Sequence, residues 1–211
     1  MSGLETYRLE GITEDNRIGS IVMNCNPFTK GHLYLIEYAA KQVDNLYIFV
    51  VQEDKSIFKF DERLALVKDG TAHISNVKVI PSGKFIISST TFDDYFQKDS
   101  NQDVVIDATQ DLSLFGQEIA PVLGINIRFA GTEPTCKVTS QYNREMKRVL
   151  PKYGVAFIEI ERVEQDEKPI SASLVRAYLK EDSMEEIKKI VPETTYQYLQ
   201  QHKEILQQRL G

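Results

Sequence analysis

Residues 21–40 read IVMNCNPFTKGHLYLIEYAA, and the change from strand to helix within this stretch decides the fold. The stretch begins inside a continuous apolar run at 18–23, which is typical of a buried strand. Pro27 ends that strand because its ring removes a backbone donor and fixes one dihedral angle. From Gly31 to Gln42 the apolar residues recur at helical spacing. A strand followed at once by a helix is the repeating unit of α/β proteins.

The same alternation of strands and helices extends along the rest of the chain. Apolar runs predict further strands at 45–52, 76–81, 125–131 and 155–160. Helical spacing predicts helices at 60–74, 138–150, 171–180, 183–190 and 193–208. For the middle of the chain the pattern predicts a short helix at 89–99, a strand at 102–109 and a helix at 112–125 that is broken near Pro121. Together these elements predict an α/β fold with a doubly wound parallel sheet and additional C-terminal helices.

The composition is typical of a globular domain with a core of its own. The 211 residues are 42% apolar and 27% charged, and no apolar run is long enough to make a membrane a partner. A net charge of −6 argues against nucleic acid as a partner, because such binding needs a basic surface. With only Cys25 and Cys136 we expect no disulfide framework and a cytoplasmic location. Residues 1–17 are polar and are expected to form a tail or linker.

The loop NPFTKGH, residues 26–32, has the features of a phosphate-binding helix start. Gly31 allows the backbone to approach a ligand closely, and Thr29 and His32 are spaced to lie on one side of the helix. Free N–H groups and the positive end of the helix dipole favour an anion there. An N-capping Thr29 with His32 in the helix wall explains the same residues equally well. This stretch alone does not decide between the two interpretations.

A second stretch, KPISASLVRAYL at 168–179, predicts another helix that begins with hydroxyl groups. Ser171 is placed as the N-cap, Ser173 offers a second hydroxyl, and Arg176 lies about one turn further along. The arginine side chain carries a permanent charge on a planar fork that suits phosphate oxygens. An ordinary capped helix with a surface arginine is the simpler explanation of this stretch taken by itself. The two stretches together favour a phosphate site.

These two stretches resemble the signatures of the (H/T)xGH nucleotidyltransferase superfamily. TKGH at 29–32 matches (H/T)xGH, and ISASLVR at 170–176 matches ISxSxxR in the expected order. More narrowly, the chain resembles the citrate lyase ligase family in four segments: 21–40, 49–73, 129–146 and 169–176. The resemblance covers nearly all of residues 18–180 and implies a Rossmann-like nucleotidyltransferase domain over residues 18–211, including the C-terminal helices.

The resemblance implies an AMP-forming ligase that converts ATP and acetate to acetyl adenylate and pyrophosphate. The acetyl group then passes to the thiol of the prosthetic group on the citrate lyase acyl carrier protein. By motif, Thr29 and His32 are expected to bind the triphosphate, with His32 stabilising charge at the α-phosphate. Ser171, Ser173 and Arg176 are expected to hold the β- and γ-phosphates. Magnesium is expected to bridge phosphate oxygens, without a metal site made by the protein.

Other positions are expected to contribute more weakly to cofactor binding. Within the two signatures these are Asn26, Phe28, Gly31 and Ile170. After the strand at 125–131 follow Gly131, Thr132 and Glu133, at the edge where an adenosine would bind, although a tight turn explains them too. Four further residues are weak candidates for phosphate, substrate or magnesium contacts: Lys30, Lys55, Arg63 and Asp107. Cys25 is expected to serve packing, and Asn24 and Asn26 either brace the turn or touch the substrate carboxylate.

Three questions stay open at the level of sequence. A pantetheine-phosphate type of adenylyltransferase would use the same signatures with a phosphate-bearing acceptor, and a regulatory module would bind ATP without turnover. The client enzyme could be malonate decarboxylase, which has a similar prosthetic group. Full-length members of the family carry an acetyltransferase-like domain before this one, for which the sequence has no room. We therefore expect either the C-terminal domain alone or a natural short form.

Overall fold

A computed structural model describes residues 3–84, 86–88, 106–133, 136–165 and 168–211. At its centre lies a five-stranded parallel sheet with the strand order β3-β2-β1-β4-β5. Its strands are β1 (Ile18–Met23), β2 (Asn45–Val50), β3 (Val77–Pro81), β4 (Ile127–Gly131) and β5 (Ala156–Ile160). A short antiparallel pair follows, β6 (Glu164–Gln165) with β7 (Lys168–Pro169). The predicted doubly wound parallel sheet is confirmed.

The helices of the described residues follow the predicted order, with ends that differ by a few residues. They are α1 (Lys30–Ala40), α2 (Phe60–Thr71), α3 (Thr109–Leu114), α4 (Ala120–Leu123), α5 (Lys137–Val149), α6 (Ala172–Lys180), α7 (Met184–Ile190) and α8 (Glu193–Leu210). Short 3-10 turns occupy Leu4–Tyr7 and Leu150–Tyr153. In the parts of the chain that the structure describes, no helix combines the length and apolar character needed to cross a membrane.

The middle of the chain differs from the prediction in its details. The break predicted near Pro121 in the helix at 112–125 is a π-helical turn at Phe115–Ile119, just before the proline. Pro121 has no N–H for the carbonyl four residues earlier, so a regular ladder cannot run through this point. The helix predicted at 89–99 lies outside the described residues, as does most of the strand predicted at 102–109. Residues 106–108 form no strand, and α3 begins at Thr109.

Helices cover both faces of the sheet and bury two apolar cores. One core lies between the sheet and α1, α2, α6, α7 and α8. The other lies between the sheet and α3, α4, α5 and the π turn. Two buried faces explain why the strands are almost continuously apolar and not alternating.

Residues before β1 contact the second core. Leu4, Tyr7, Leu9 and Ile12 pack against it as partly buried side chains. The Tyr47 hydroxyl in β2 donates to the carbonyl of Tyr7 and accepts from the N–H of Leu9, both at 3.1 Å. The polar sequence of this segment therefore contains enough apolar side chains to hold it against the sheet. The domain boundary at residue 18 stays a prediction.

The topology fixes where a ligand can bind. Because all five strands are parallel, the loops that follow them leave from the same edge of the sheet. From β1 the chain crosses to β2 on one side, while β4 pairs with β1 on the other side. This change of direction leaves a crevice beside the end of β1, which is the usual ligand position in such folds.

Candidate functional site

A cavity of about 680 Å³ lies at this edge of the sheet. Its walls come from the loop after β1, the start of α1, the ends of β4 and β5, and the start of α6. Both sequence signatures contribute to it: Thr29, Gly31, His32, Ser171, Ser173 and Arg176. The two signatures are about 140 positions apart in the chain, and both line the same cavity.

A reciprocal capping box forms the start of α1. The Thr29 side chain accepts a hydrogen bond from the N–H of His32 at 3.3 Å, and the Nδ1 atom of His32 accepts from the N–H of Thr29 at 3.0 Å. Two of the N–H groups that a helix start leaves unpaired are thereby satisfied. The capping interpretation of this motif is correct, and it coexists with a position in the cavity wall.

The capping bond fixes the tautomer of His32, and burial determines its charge. Since Nδ1 accepts a hydrogen bond, the neutral ring carries its proton on Nε2. Burial lowers the pKa of His32 from its ordinary value of 6.5 to about 4, and the nearby positive charge of Arg162 contributes to the decrease. Near neutral pH the imidazole is thus an uncharged donor held in one orientation. Among the described residues, none pairs with its Nε2–H.

The Phe28 ring stacks against the imidazole of His32. It lies nearly parallel to the imidazole, with 5.9 Å between the ring centroids and 12° between the planes. Phe28 is fully buried and does not line the cavity, so any contact with a ligand would come from its backbone. The ring fits against α2 because that helix has Gly70 here, where a Cβ atom would lie 2.5 Å from the Phe28 ring.

The two signatures contact each other directly. The Nη1 group of Arg176 donates to the carbonyl of Asn26 at 2.6 Å, and Nη2 donates to the Ser173 hydroxyl at 3.1 Å. A Cβ atom on Gly31 would lie 3.3 Å from the carbonyl oxygen of Ile170, so a glycine lets α1 approach α6 this closely. The Ile170 side chain is buried in the core, while its backbone forms the contact.

At the start of α6, Ser171 is the N-cap that the sequence predicts. Its hydroxyl accepts from the N–H of Leu174 at 3.1 Å. Ser173 is exposed, and its hydroxyl accepts from Arg176. The serines and the arginine therefore form one polar surface at the helix start, where the dipole is positive.

Arg63 holds the loops behind the cavity and does not line it. Its buried guanidinium donates to four backbone carbonyl groups at 2.7–3.0 Å: those of Asn24, Val51, Glu53 and Phe58. The asparagines strengthen the same link, because the Asn24 side chain contacts Ser56 and the Asn26 side-chain oxygen accepts from the N–H of Phe58 at 3.0 Å. Both asparagines brace the turn, and Arg63 acts on the backbone and not on a phosphate.

Gly131, Thr132 and Glu133 lie at the end of β4, and the last two hold a residue that the sequence did not single out. The Arg162 Nε group donates to the Thr132 carbonyl at 2.7 Å, and its Nη2 group forms an ion pair with Glu133. Glu133 also accepts from the N–H of Cys136 at 3.0 Å, at the start of α5. Thr132 and Glu133 thus position the Arg162 cation beside His32. The only sequence signal for Arg162 is its position just after the strand at 155–160.

Comparison with known families gives a match over most of the chain. The model of the family described as "Citrate lyase ligase C-terminal domain" matches residues 18–199. The chain belongs to this citrate lyase ligase family. The family resemblance carried by the two signatures and the four segments is therefore confirmed.

Individual relatives agree with this assignment. The citrate (pro-3S)-lyase ligase of Escherichia coli is 45% identical over 190 residues, which cover 88% of this chain and 54% of that protein. The enzyme of the same name from Haemophilus influenzae is 44% identical over 206 residues, covering 93% and 59%. The chain thus spans little more than half the length of these citrate lyase ligases. A crystal structure of Thermotoga maritima TmcAL bound with alpha-thio ATP shares the fold, with a TM-score of 0.53 and 14% identity, covering 90% of this chain and 56% of that one.

Several weaker candidates in this citrate lyase ligase domain are engaged elsewhere. The Lys30 ammonium group donates to the carbonyl oxygens of Lys188 and Lys189 at the end of α7. The Asp107 carboxylate accepts from the N–H of Thr109, the first residue of α3, while Lys55 lines the cavity. Within the described ranges, no group of three or more His, Cys, Asp and Glu side chains could hold a metal ion.

Cys25 is a core residue of the domain. It is almost fully buried, and that burial raises the pKa of its thiol. A thiol held in its neutral form is a poor nucleophile, because the thiolate is the reactive species. These observations agree with the packing role expected from the sequence.

The pKa of His32 predicts how the stability of the domain depends on pH. An unfolded chain protonates this histidine near its ordinary pKa of 6.5, whereas the folded chain does so only near about 4. Between these values the unfolded state binds more protons, so the free energy of unfolding contributed by His32 falls as pH falls from 6.5 towards 4. Urea denaturation of the wild type and His32→Gln at pH 7 and pH 4.5 measures this effect.

Glutamine is the matched control because it does not titrate. The wild type is expected to lose more stability than His32→Gln between the two pH values, while all carboxylates contribute equally to both proteins. Parallel decreases in the two proteins would contradict the lowered pKa of His32.

Proposed function

We propose that this chain is the adenylating domain of an AMP-forming acetate ligase that serves citrate lyase. It binds ATP with its triphosphate across the starts of α1 and α6. An oxygen of the acetate carboxylate forms a bond to the α-phosphorus, and the bond from that phosphorus to the bridging oxygen of the β-phosphate breaks. The products are acetyl adenylate and pyrophosphate, and the latter carries away the bonding electron pair.

The observation that supports this function most strongly is the contact between the two signatures. The guanidinium of Arg176 in α6 bonds the Asn26 carbonyl in the loop before α1, and both segments line one cavity. This places two helix starts, two serine hydroxyls and the His32 donor around a single space. Helix starts and arginine are the groups that proteins use to bind phosphate chains.

The residues of the chain provide alignment and charge stabilisation for such a transfer. The Nε2–H of His32 is oriented by the capping box and can donate to an α-phosphate oxygen as negative charge increases there. Arg176 and Arg162 both line the cavity and place positive charge in its wall. The acetate carboxylate is already ionised near neutral pH, so the attack needs no general base. Phosphoryl and nucleotidyl transfers depend mainly on such positioning and electrostatics.

Magnesium enters this proposal together with ATP. Among the residues that the structure describes, the acidic ones that line the cavity are Glu133 and Glu161, and Glu133 is paired with Arg162. The donor set therefore fits an ion held mainly by phosphate oxygens and water, as is common for Mg²⁺. When bound, the ion neutralises part of the charge on the phosphate chain.

The second half of the proposed reaction involves a protein partner. The acetyl group passes from the adenylate to the thiol of the prosthetic group on the citrate lyase acyl carrier protein, and AMP leaves. The cavity is open at the edge of the sheet, which suits entry of a long flexible thiol arm. The family assignment and the names of the two bacterial relatives support this client.

Isotope exchange between pyrophosphate and ATP tests the first half-reaction without the partner. Labelled pyrophosphate is expected to enter ATP only when acetate is present, because exchange requires reversible formation of acetyl adenylate. Matched reactions contain phosphopantetheine in place of acetate, or neither acceptor.

Each of the alternatives has its own result in this assay. Exchange driven by phosphopantetheine and not by acetate would show an adenylyltransferase of that type. ATP binding without exchange in the presence of any short carboxylate would indicate a regulatory module. Either outcome would overturn the proposed function.

A further inference from the structure

Arg128 is a buried arginine whose role the two signatures do not explain. It lies in β4, where its backbone pairs with Ser20 of β1, and its side chain is 2% exposed. The guanidinium carbon is 4.5 Å from the centroid of the Phe115 ring in the π turn. Because charged side chains are rarely buried unless they are paired, an arginine in this position needs an explanation.

The hydrogen-bonding capacity of Arg128 is only partly used. Three buried side-chain atoms in the described parts of the chain have no hydrogen-bond partner, and two of them are Nε and Nη1 of Arg128. A buried donor without an acceptor is costly, so nearly all such groups in folded proteins are satisfied by protein, water or a ligand. Two unpaired donors on one cation indicate that an acceptor belongs here.

The neighbours of Arg128 orient it but do not supply that acceptor. The Tyr142 hydroxyl interacts with the guanidinium and donates to Asp111 at 2.7 Å. The other oxygen of Asp111 accepts from the N–H of Ile87 at 2.6 Å. The Asp111 charge therefore acts on Arg128 from a distance, while its oxygens bind other groups. In the described residues no carboxylate forms an ion pair with Arg128.

Arg128 lines the same cavity as the two signatures. Apolar side chains from β1, from α5 and from the segment after β3 also line this cavity: Val22, Ile87, Val138 and Met146. They belong to the same apolar cluster as Phe115, the ring that Arg128 contacts. Val138, Tyr142 and Met146 follow at intervals of four residues, so they lie on one face of α5. A cation with free donors inside an apolar wall suits a ligand that has one carboxylate and a small apolar group.

We propose that Arg128 binds the carboxylate of a short-chain carboxylic acid, with the apolar wall enclosing its alkyl group. The inference rests on the proposed function, since it identifies where the acetate of that reaction would bind. One carboxylate oxygen accepts from Arg128, and the other remains available to bond the α-phosphorus of ATP bound at His32. No proton transfer is required, because the acid is already ionised. The wall then limits the length of the acid that the site accepts.

Arg128→Gln tests this assignment through the acetate dependence of the exchange reaction. We expect the KM for acetate to rise by at least about tenfold, because a charge-assisted bond is lost, while the Kd for ATP changes less than about twofold. Arg148→Gln is the matched control, because Arg148 is an exposed arginine of α5 and should leave both constants unchanged. A change in ATP affinity that matches the change in KM would instead indicate a general structural role and would overturn the proposal.

A binding measurement separates this inference from the proposed function. Saturation-transfer NMR with labelled acetate, without ATP, is expected to give a signal with the wild type and with Arg148→Gln, and a much weaker one with Arg128→Gln. If the wild type shows no exchange activity but retains this difference, the carboxylate site stands and the ligase function fails. If acetate gives no signal with the wild type, or equal signals with all three proteins, the inference is wrong.

The test does not depend on the stability of one variant. If Arg128→Gln does not fold, the Nε–H resonance of Arg128 in the wild-type protein can be followed during titration with acetate. A saturable shift of this resonance supports the site. The absence of a shift at acetate concentrations that saturate exchange would mean that ordered water satisfies the two donors, and would overturn it.

Discussion

Replacing His32 with glutamine is expected to lower the rate of acetate-dependent pyrophosphate exchange by about 100- to 1,000-fold. Glutamine at this position retains the capping box, because its side-chain oxygen can accept from the N–H of Thr29 as Nδ1 does in the wild type. What it loses is the Nε2–H donor at a fixed position in the cavity. A decrease of this size in His32→Gln would show that the exchange rate falls because charge stabilisation is lost, and not because the protein fails to fold.

His32→Ala is the informative comparison, because alanine removes the donor and the cap together. Its free energy of unfolding at pH 7 is expected to be lower than that of His32→Gln by about 1 kcal/mol, the usual contribution of a cap. The exchange rates of the two variants should be similar. Near wild-type exchange in His32→Gln would exclude His32 from the reaction and leave it only as a capping residue.

Replacing Arg176 with lysine is expected to lower kcat/KM for exchange by about 100-fold, although the positive charge is kept. The arginine uses separate nitrogens to contact Asn26 and Ser173, and a phosphate would bind to the same planar group. A lysine ammonium is a compact charge and cannot maintain these contacts at the same geometry. The measurement is the exchange rate at several ATP concentrations.

Arg148→Lys is the control for this substitution, since the exposed Arg148 contacts only its neighbour Glu145 in the described structure. It should retain the wild-type rate. The Ser173→Ala variant should give an intermediate decrease, because it removes one contact of Arg176 and leaves the guanidinium. An Arg176→Lys variant with an unchanged rate would contradict the phosphate-binding role of α6.

The sequence predicts the fold well because the fold depends on patterns that are local. Strands buried on both faces have continuous apolar runs, and the capped starts of α1 and α6 carry Thr29 and Ser171 where capping requires them. The sequence also predicts that the two signatures form one site, because a family resemblance specifies which separated segments come together. The direct bond between Arg176 and Asn26 was not predicted. Their roles in binding phosphate stay predictions until they are measured.

Arg162 and Arg128 could not be identified in this way. Arg162 lies in the polar stretch RVEQDEK, where a site residue has the same appearance as a solvated one. Arg128 interrupts the apolar strand INIRFAG, which indicates a charged group in the core but not its purpose. The structure identifies both arginines through their hydrogen bonds. Arg162 is held by Thr132 and Glu133, while two side-chain donors of Arg128 have no partner.

The bond from Arg176 to the Asn26 carbonyl has a consequence for how the protein is made. The two residues are 150 positions apart. During synthesis this bond can therefore form only after most of the domain has left the ribosome. Closing so long a loop is entropically costly and depends on the sheet that brings its ends together. A chain cut short before α6 therefore lacks the part of the cavity wall that the second signature forms. If the proposed function is correct, ATP binding is expected only after translation has passed the second signature.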